Sequence, residues 1–303
     1  MDTQNVVFAL HDRSGQYWTY VATALTSVLC YASVPVRIHV LHDATLCASS
    51  RQRLTQVATR MGAQGIEFIP AQLPAELANL TLGPFSVASL YRLLIPRLFP
   101  QEPLVLYLDA DLVFNGVDIH ELAYLAPADS PLSGVLDPHI HRAPGHVEQH
   151  QRLGLDTTTY INSGVLCIRP KLIPEDPLDA FVRFGQRFGA VSHPDQDFLN
   201  WHFQGRIGIL PPHLNFQAGL YQRALLEPLS FYDGKIIHYA GKMKPLDGMM
   251  APGFQPFWRH TFLVPEITST PALLSAPRYL FPVEGDMHGL RRVLMREQPA
   301  STR

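Results

Sequence analysis

Cysteine is scarce in this chain of 303 residues: Cys30, Cys47 and Cys167 are odd in number and far apart. That spacing excludes a disulfide framework or a zinc cluster, and buried free thiols are the expected state. Long apolar runs are also missing. No window approaches the roughly 18 uninterrupted apolar residues of a membrane-spanning helix. Charge of one sign is not in excess, with 24 Lys and Arg against 26 Asp and Glu. There is then no global basic field to attract nucleic acid. The opening Met1-Asp2-Thr3-Gln4-Asn5 is polar and has no basic segment, so it does not read as a signal peptide and a cytoplasmic compartment is expected. The glycosylation sequon Asn79-Leu80-Thr81 is accordingly read as chance. Internal repeats and low-complexity linkers are absent too.

What is present describes a globular chain with a sizeable core: 47% of residues are hydrophobic and 17% charged. Apolar runs of strand length alternate with helical periodicity. Strands are expected at Val6–Leu10, Val36–Leu41, Gly65–Ile69 and Leu104–Leu108, with helices at Tyr17–Ala32, Thr45–Met61 and Ser86–Leu98. Further strands are expected at Ser133–Leu136, Gly164–Ile168, Ile207–Leu210 and Ile236–Tyr239, and helices at Pro177–Phe188 and Asp195–Phe203. This order predicts an α/β fold with a mainly parallel sheet covered by helices on both faces. Beyond about residue 245 prolines are dense and periodicity fades. An irregular extension wrapped on the core is expected there, closed by a short basic helix around His288–Arg296.

The most informative motif is Asp109-Ala110-Asp111, at the end of the apolar run Leu104–Leu108. In extended chain, residues two apart point to one side. Two carboxylates held that close repel unless a cation lies between them, and carboxylate oxygens suit a divalent ion. The plainer alternative is a turn former or helix cap. Open α/β sheets bind ligands beyond the carboxyl ends of their strands, which is where this pair falls.

Four other segments carry polar groups at similar places. His238, leaving Ile236-Ile237, is a reasonable third ligand, and the following Gly241 and Lys244 could receive an anion; a strand-ending loop with a surface lysine is the alternative. Asn162 and Ser163 present groups suited to sugar hydroxyls, with Gly164 expected to permit an unusual backbone angle. Asp195, Gln196 and Asp197 open a helix after Pro194, where Asp195 could be only its cap. Arg92 sits on an otherwise apolar helix, either snorkelling or aimed at a pocket as a cation for phosphate.

Together these segments resemble glycosyltransferase family 8 over roughly residues 5–246. The motifs, in the family's order, are Ala9-Leu10-His11-Asp12, Ser89-Leu90-Tyr91-Arg92-Leu93, Leu106-Tyr107-Leu108-Asp109-Ala110-Asp111, Asn162-Ser163-Gly164, Asp195-Gln196-Asp197 and His238-x-x-Gly241-x-x-Lys244-Pro245. The resemblance implies a GT-A fold, with a catalytic domain at residues 1–246 and an extension at 247–303 packed on the core. It implies retaining transfer of glucose or galactose from a uridine diphosphate sugar to a saccharide or other hydroxyl, lipopolysaccharide core among the options. Asp109, Asp111 and His238 would hold manganese or magnesium. Gly241 and Lys244 would hold the phosphates. Arg92, Asn162, Ser163 and Asp195 would surround the donor sugar, with Asp137 near its hydroxyls and Ala9 and Ala110 also touching the donor. Gln196 would lie by the anomeric carbon, and Asp12 and Tyr17 by the uracil.

The chain departs from the family's pattern in places. His11 stands where relatives carry an acid, the loop Arg13-Ser14-Gly15-Gln16 is longer than in some of them, and Leu246 replaces a common aromatic. A nucleotidyltransferase would instead open with a Gly- and Lys/Arg-rich phosphate loop, but residues 11–16 have one glycine and no lysine. A non-catalytic nucleotide-sugar-binding module is the other alternative. The small cluster of Arg291, Arg292 and Arg296 allows at most weak contact with an anionic inner-membrane surface.

Overall fold

Alternating strand and helix periods are realised in a computed structural model, which describes residues 3–78, 86–140, 144–218, 224–241, 243–247 and 251–268. The elements run β1 (Gln4–Leu10), α1 (Trp18–Tyr31), β2 (Val36–His42), α2 (Ala48–Arg60), β3 (Gly65–Pro70) and α3 (Ala75–Ala78). A 3-10 segment, Val87–Leu94, then runs into α4 (Ile95–Leu98) and β4 (Val105–Leu108). After β4 come β5 (Leu112–Asn115), α5 (Ile119–Leu125), β6 (Leu132–Leu136), α6 (Pro144–Leu153), β7 (Ile161–Ile168), α7 (Pro177–Phe188) and α8 (Pro194–His202). The chain continues through β8 (Ile207–Leu210), β9 (Phe216–Gln217), β10 (Lys235–His238), α9 (Gln255–Phe262) and α10 (Pro265–Thr268).

Seven strands form one sheet in the order β3-β2-β1-β4-β7-β6-β8. Only β7 runs against the others, since it is antiparallel to both β4 and β6. The expected α/β fold with a mainly parallel sheet is therefore present. Alternation along the strands feeds two cores. Val6, Phe8 and Leu10 pack with α1, α2 and α9, whereas Val7 and Ala9 pack with the 3-10 segment, α7 and α8. A second, three-stranded sheet has the order β5-β10-β9.

Several local features differ from expectation, among them the helices α5 and α6, which were not foreseen. The single helix expected at Ser86–Leu98 is a 3-10 turn followed by a short α-helix, because Pro96 has no N–H to give the Arg92 carbonyl, which instead accepts from Ile95. Strand β5 was not visible as periodicity: its four apolar residues follow the aspartate pair with no turn between. Strand β7 starts at Ile161, three residues earlier than expected, so Asn162 and Ser163 are strand residues.

Residues 251–268, expected to be irregular, contain α9 and α10, and Pro256 and Pro265 sit in their first turns, where a missing N–H costs nothing. Thr261 of α9 meets Thr23 of α1 at 3.0 Å, and Glu266 of α10 meets Arg60 of α2 at 2.6 Å. The basic helix expected around His288–Arg296 lies outside the described residues. No helix among the described residues is long and apolar enough to cross a membrane.

Candidate active site

Asp109-Ala110-Asp111 is the hinge between the two sheets. Asp109 donates its backbone N–H to the Gly164 carbonyl (2.8 Å), extending the β4–β7 ladder by one residue. The Asp111 carbonyl accepts from Tyr239 N–H (2.9 Å), extending the β5–β10 ladder in the same way. Because β10 pairs antiparallel with β5, His238 lies opposite Leu112 and its ring reaches the aspartates. Its Nε2 is 3.3 Å from Asp111 Oδ1 and 3.6 Å from Asp109 Oδ2. One ligand atom from each of the three residues lies within 4.8 Å of the others. Carboxylate oxygens and an imidazole nitrogen are a suitable set for a divalent ion.

The other oxygens of the pair are already engaged. Asp109 Oδ1 accepts from Tyr107 OH (2.8 Å) and Arg92 Nη2 (3.0 Å). Asp111 Oδ2 accepts from Lys244, whose ammonium also donates to the Tyr239 carbonyl at 2.7 Å. Burial pushes the Asp111 carboxyl up, but the Lys244 ammonium bonded to it outweighs that and holds it below the usual carboxylate range. Burial and the nearby Asp111 and Asp109 charges raise the Tyr17 phenol well above its ordinary value, so it stays neutral.

Arg92 is not a snorkelling arginine. It is only 5% exposed and donates to the Ser89 and Ser163 carbonyls as well as to Asp109. Its Nε lies 3.4 Å from Asp195 Oδ2, and its guanidinium stacks over the Tyr107 ring at 4.4 Å. Burial alone would lower its pKa, but Asp109, Tyr107, Asp195 and Asp111 outweigh that and keep it charged. Arg92 is thus a cation between the aspartate pair and Asp195.

The reversed direction of β7 explains the second half of the site. Its start lies at the edge where β4 and β6 end, so Asn162 and Ser163 are delivered there with Asp137, which follows β6. Ser163 Oγ donates to Asp195 Oδ2 (3.0 Å). Gln196 Oε1 accepts from Ser163 N–H (3.1 Å) and Asn162 Nδ2 (3.0 Å), while its Nε2 donates to Asp137 Oδ2 (2.9 Å). Asp195 does not cap α8. The N-cap position is His193, whose N–H is received by Asp197 Oδ2 at 3.1 Å.

Gly164 has a role other than the one expected. Its backbone angle is ordinary, but a Cβ there would sit 2.2 Å from His238 Cε1 and 2.8 Å from Asp109 Oδ2. The glycine makes room for the close approach of β7 to the aspartates and His238. Gly241, by contrast, does adopt a positive φ of 89°, which lets the chain turn between His238 and Lys244.

Two nominated positions lie one strand over. Ala9 is buried near the end of β1. Asp12 follows β1, and its Oδ1 accepts from Tyr17 N–H (2.6 Å), holding the loop into α1. Asp12 Oδ2 is buried without a hydrogen-bond partner. Ala110 is buried between the two aspartates.

Sequence reading missed several neighbours. Asp43, just after β2, receives His11 Nδ1 (2.5 Å) and Tyr91 OH (3.0 Å); its place at a strand end was the available signal. Asp197, already marked with Asp195 and Gln196, receives Tyr160 OH (2.6 Å) and the missed Gln149 (2.7 Å) behind Gln196. Asn215, in a proline-flanked turn, contacts both His238 Nδ1 and Asn162 Oδ1 at 2.9 Å. Nothing in its local sequence marks it.

Residues 5–247 match the profile of glycosyl transferase family 8. Among solved structures, the galactosyltransferase LgtC, crystallised with donor and acceptor sugar analogs, is 24% identical with a TM-score of 0.70, the alignment covering 88% of this chain and 98% of LgtC. The bifunctional glycosyltransferase WbbM is 19% identical with a TM-score of 0.69, covering 90% of this chain. This chain spans about half of WbbM, 51% of its length. GlyE of Streptococcus pneumoniae TIGR4 is 23% identical with a TM-score of 0.60, covering 85% of this chain and 60% of GlyE. At such identities the likeness is one of fold, and it agrees with the GT-A arrangement expected. No curated protein matches the sequence.

Proposed function

Because the chain belongs to glycosyltransferase family 8, we propose that it is a retaining, metal-dependent hexosyltransferase acting on a uridine diphosphate sugar. The observation that carries this reading is the convergence of Asp109, Asp111 and His238 beside Lys244. These three would hold manganese or magnesium. A divalent ion held there would supply Lewis-acid stabilisation of the diphosphate leaving group. Lys244 and the backbone at Gly241 then receive phosphate oxygens and offset the charge that develops as the sugar–phosphate bond breaks. The unpartnered Asp12 Oδ2 suits an N–H donor of the base. Tyr17, tied to Asp12 through its backbone, completes that end of the donor site, with Ala9 beside it. Ala110 keeps the donor's approach between the aspartates open.

On the sugar side, Asp195 stabilises positive charge on the ring, while Asp137, Asn162 and Ser163 take hydroxyls, with Arg92 beside Asp195. Gln196 is a poor nucleophile. Its amide oxygen is neutral and already accepts two hydrogen bonds. Front-side attack by the acceptor, assisted by the departing phosphate, is therefore favoured over a covalent glycosyl intermediate. The acceptor sugar analog crystallised with LgtC supports a saccharide acceptor, and lipopolysaccharide core is the saccharide we favour. The catalytic unit is residues 1–246, and residues 247–303 form an extension that carries α9 and α10.

The test is a hydrolysis screen of nucleotide sugars with manganese, with and without chelator. Turnover of uridine diphosphate glucose or galactose that chelator abolishes is expected. Activity only with a non-uridine donor would overturn the base-binding reading. Tight donor binding without turnover would favour a binding module instead.

A further inference from the structure

The geometry points to Asn215 as a positioning residue that dictates which nitrogen of His238 faces the aspartates. This inference rests on the functional reading only in giving that nitrogen a metal to bind. Backbone N–H groups can only donate, so they fix the orientation of the side-chain amides they meet.

Gly164 N–H points at Asn162 Oδ1 (2.9 Å), and Ser163 N–H points at Gln196 Oε1 (3.1 Å). Both atoms must therefore be oxygens. Asn162 Nδ2 then donates to Gln196 Oε1 (3.0 Å), which agrees with both assignments. Gln196 Nε2 donates to the Asp137 carboxylate (2.9 Å), which can only accept when ionised. The Asn162 amide is thus set from two directions.

Asn215 approaches Asn162 Oδ1 at 2.9 Å, so the atom it presents must be its Nδ2. Its other atom, Oδ1, is then the one 2.9 Å from His238 Nδ1. An amide oxygen accepts only, so the proton of the neutral imidazole sits on Nδ1. The lone pair is left on Nε2, 3.3 Å from Asp111 and 3.6 Å from Asp109. Every group facing that point is then an acceptor, the arrangement that a cation relieves. The opposite tautomer would aim an N–H at the carboxylates and put two acceptors face to face at Asn215. A hydrogen bond of this kind on the far nitrogen of a ligating histidine commonly sets ring orientation and metal affinity. Here the setting is inherited from the backbone of β7 through two side-chain amides, and the same Asn162 belongs to the sugar side of the site.

The first test reads the tautomer itself in metal-free full-length protein. Nitrogen-15 spectra of the histidine rings at pH 9, with the His238 signals identified by their loss in His238→Ala, are expected to place the proton on Nδ1. A proton on Nε2 overturns the inference, whatever the site binds. The second test titrates manganese chloride into protein with uridine diphosphate. Asn215→Leu is expected to lose the tautomer preference and weaken manganese binding by about 10- to 100-fold. Asn215→Asp keeps an oxygen for the Nδ1 proton and is expected to retain the tautomer. A folded Asn215→Leu protein with an unchanged tautomer and unchanged manganese affinity would also overturn it. If Asn215→Leu does not fold, the wild-type spectrum and Asn215→Asp still decide. Failure of the wild type to take up manganese would sink the functional reading and leave the tautomer result standing.

Discussion

At the scale of single residues, the site depends on what is small as much as on what is charged. Gly164 is needed for space, since a methyl there would overlap the His238 ring. We expect Gly164→Ala to displace His238 and cut turnover by at least about 100-fold, because the buried His238 ring and the Asp109 carboxylate tied to Arg92 leave little freedom to relax. Steady-state rates across a manganese series would check this; full activity at saturating metal would refute the steric account. Gln196 offers the mechanistic test. Gln196→Ala and Gln196→Glu should both retain measurable transfer with the same anomeric outcome, read by product stereochemistry. Loss of all activity in both, together with a trapped glycosyl adduct on the wild type, would favour a covalent route. The aspartate pair was legible because extended chain puts residues two apart on one side. Asn215 was not, because its partners are 53 and 23 residues away in sequence and meet it only in the fold.

Elements decide where these residues go. The reversal of β7 brings a plain Asn-Ser-Gly segment beside the aspartate pair. The pairing of β5 with β10 carries His238 to Asp111. Neither could be read from periodicity, since β5 is four residues long and strand direction leaves no mark on alternation. The helix α9 carries a separate prediction. His260 lies on it, buried with its Nδ1 2.8 Å from the Pro256 carbonyl and its ring edge-on to Tyr31. Burial pushes its pKa down to about 4, the Pro256 carbonyl raising it and Arg259 lowering it further. The unfolded ring takes up its proton near pH 6.5, so the unfolded state binds more protons below that value. Its contribution to stability is then fully present above about pH 6.5 and is lost as pH falls toward 4. The linked loss is about 3 kcal/mol. Urea unfolding at pH 7.5 and 5, compared with His260→Phe, would check it: the variant should lose this part of the pH dependence. An identical pH slope in both proteins would show that His260 does not carry it.

For the whole molecule, the family match ends at residue 247 but the core does not. Phe254, Phe257, Val264 and Ile267 are buried in the same apolar cluster as Val21, Leu25 and Val28 of α1. A chain ending at residue 247 should therefore fold poorly, with thermal melting at least about 10 °C lower or with insoluble expression. Phe257→Ala in the full chain should cost about 3–5 kcal/mol of stability, measured by denaturant unfolding. A truncated chain as stable as the full one would show that α9 and α10 are dispensable. The alternation of strand and helix, the placement of acids at strand ends and the ordered motifs were all determined by the sequence alone, because each is a local consequence of side-chain period and backbone geometry. Local period also marked the aspartate pair as a place needing positive charge. Only the tertiary structure decided which charge answers it: Arg92 between Asp109 and Asp195, Lys244 on Asp111, and His238 brought across a second sheet. Those partners are set by strand direction and register between distant segments. The aspartates could be read one strand at a time, but the ligand set exists only where two sheets meet.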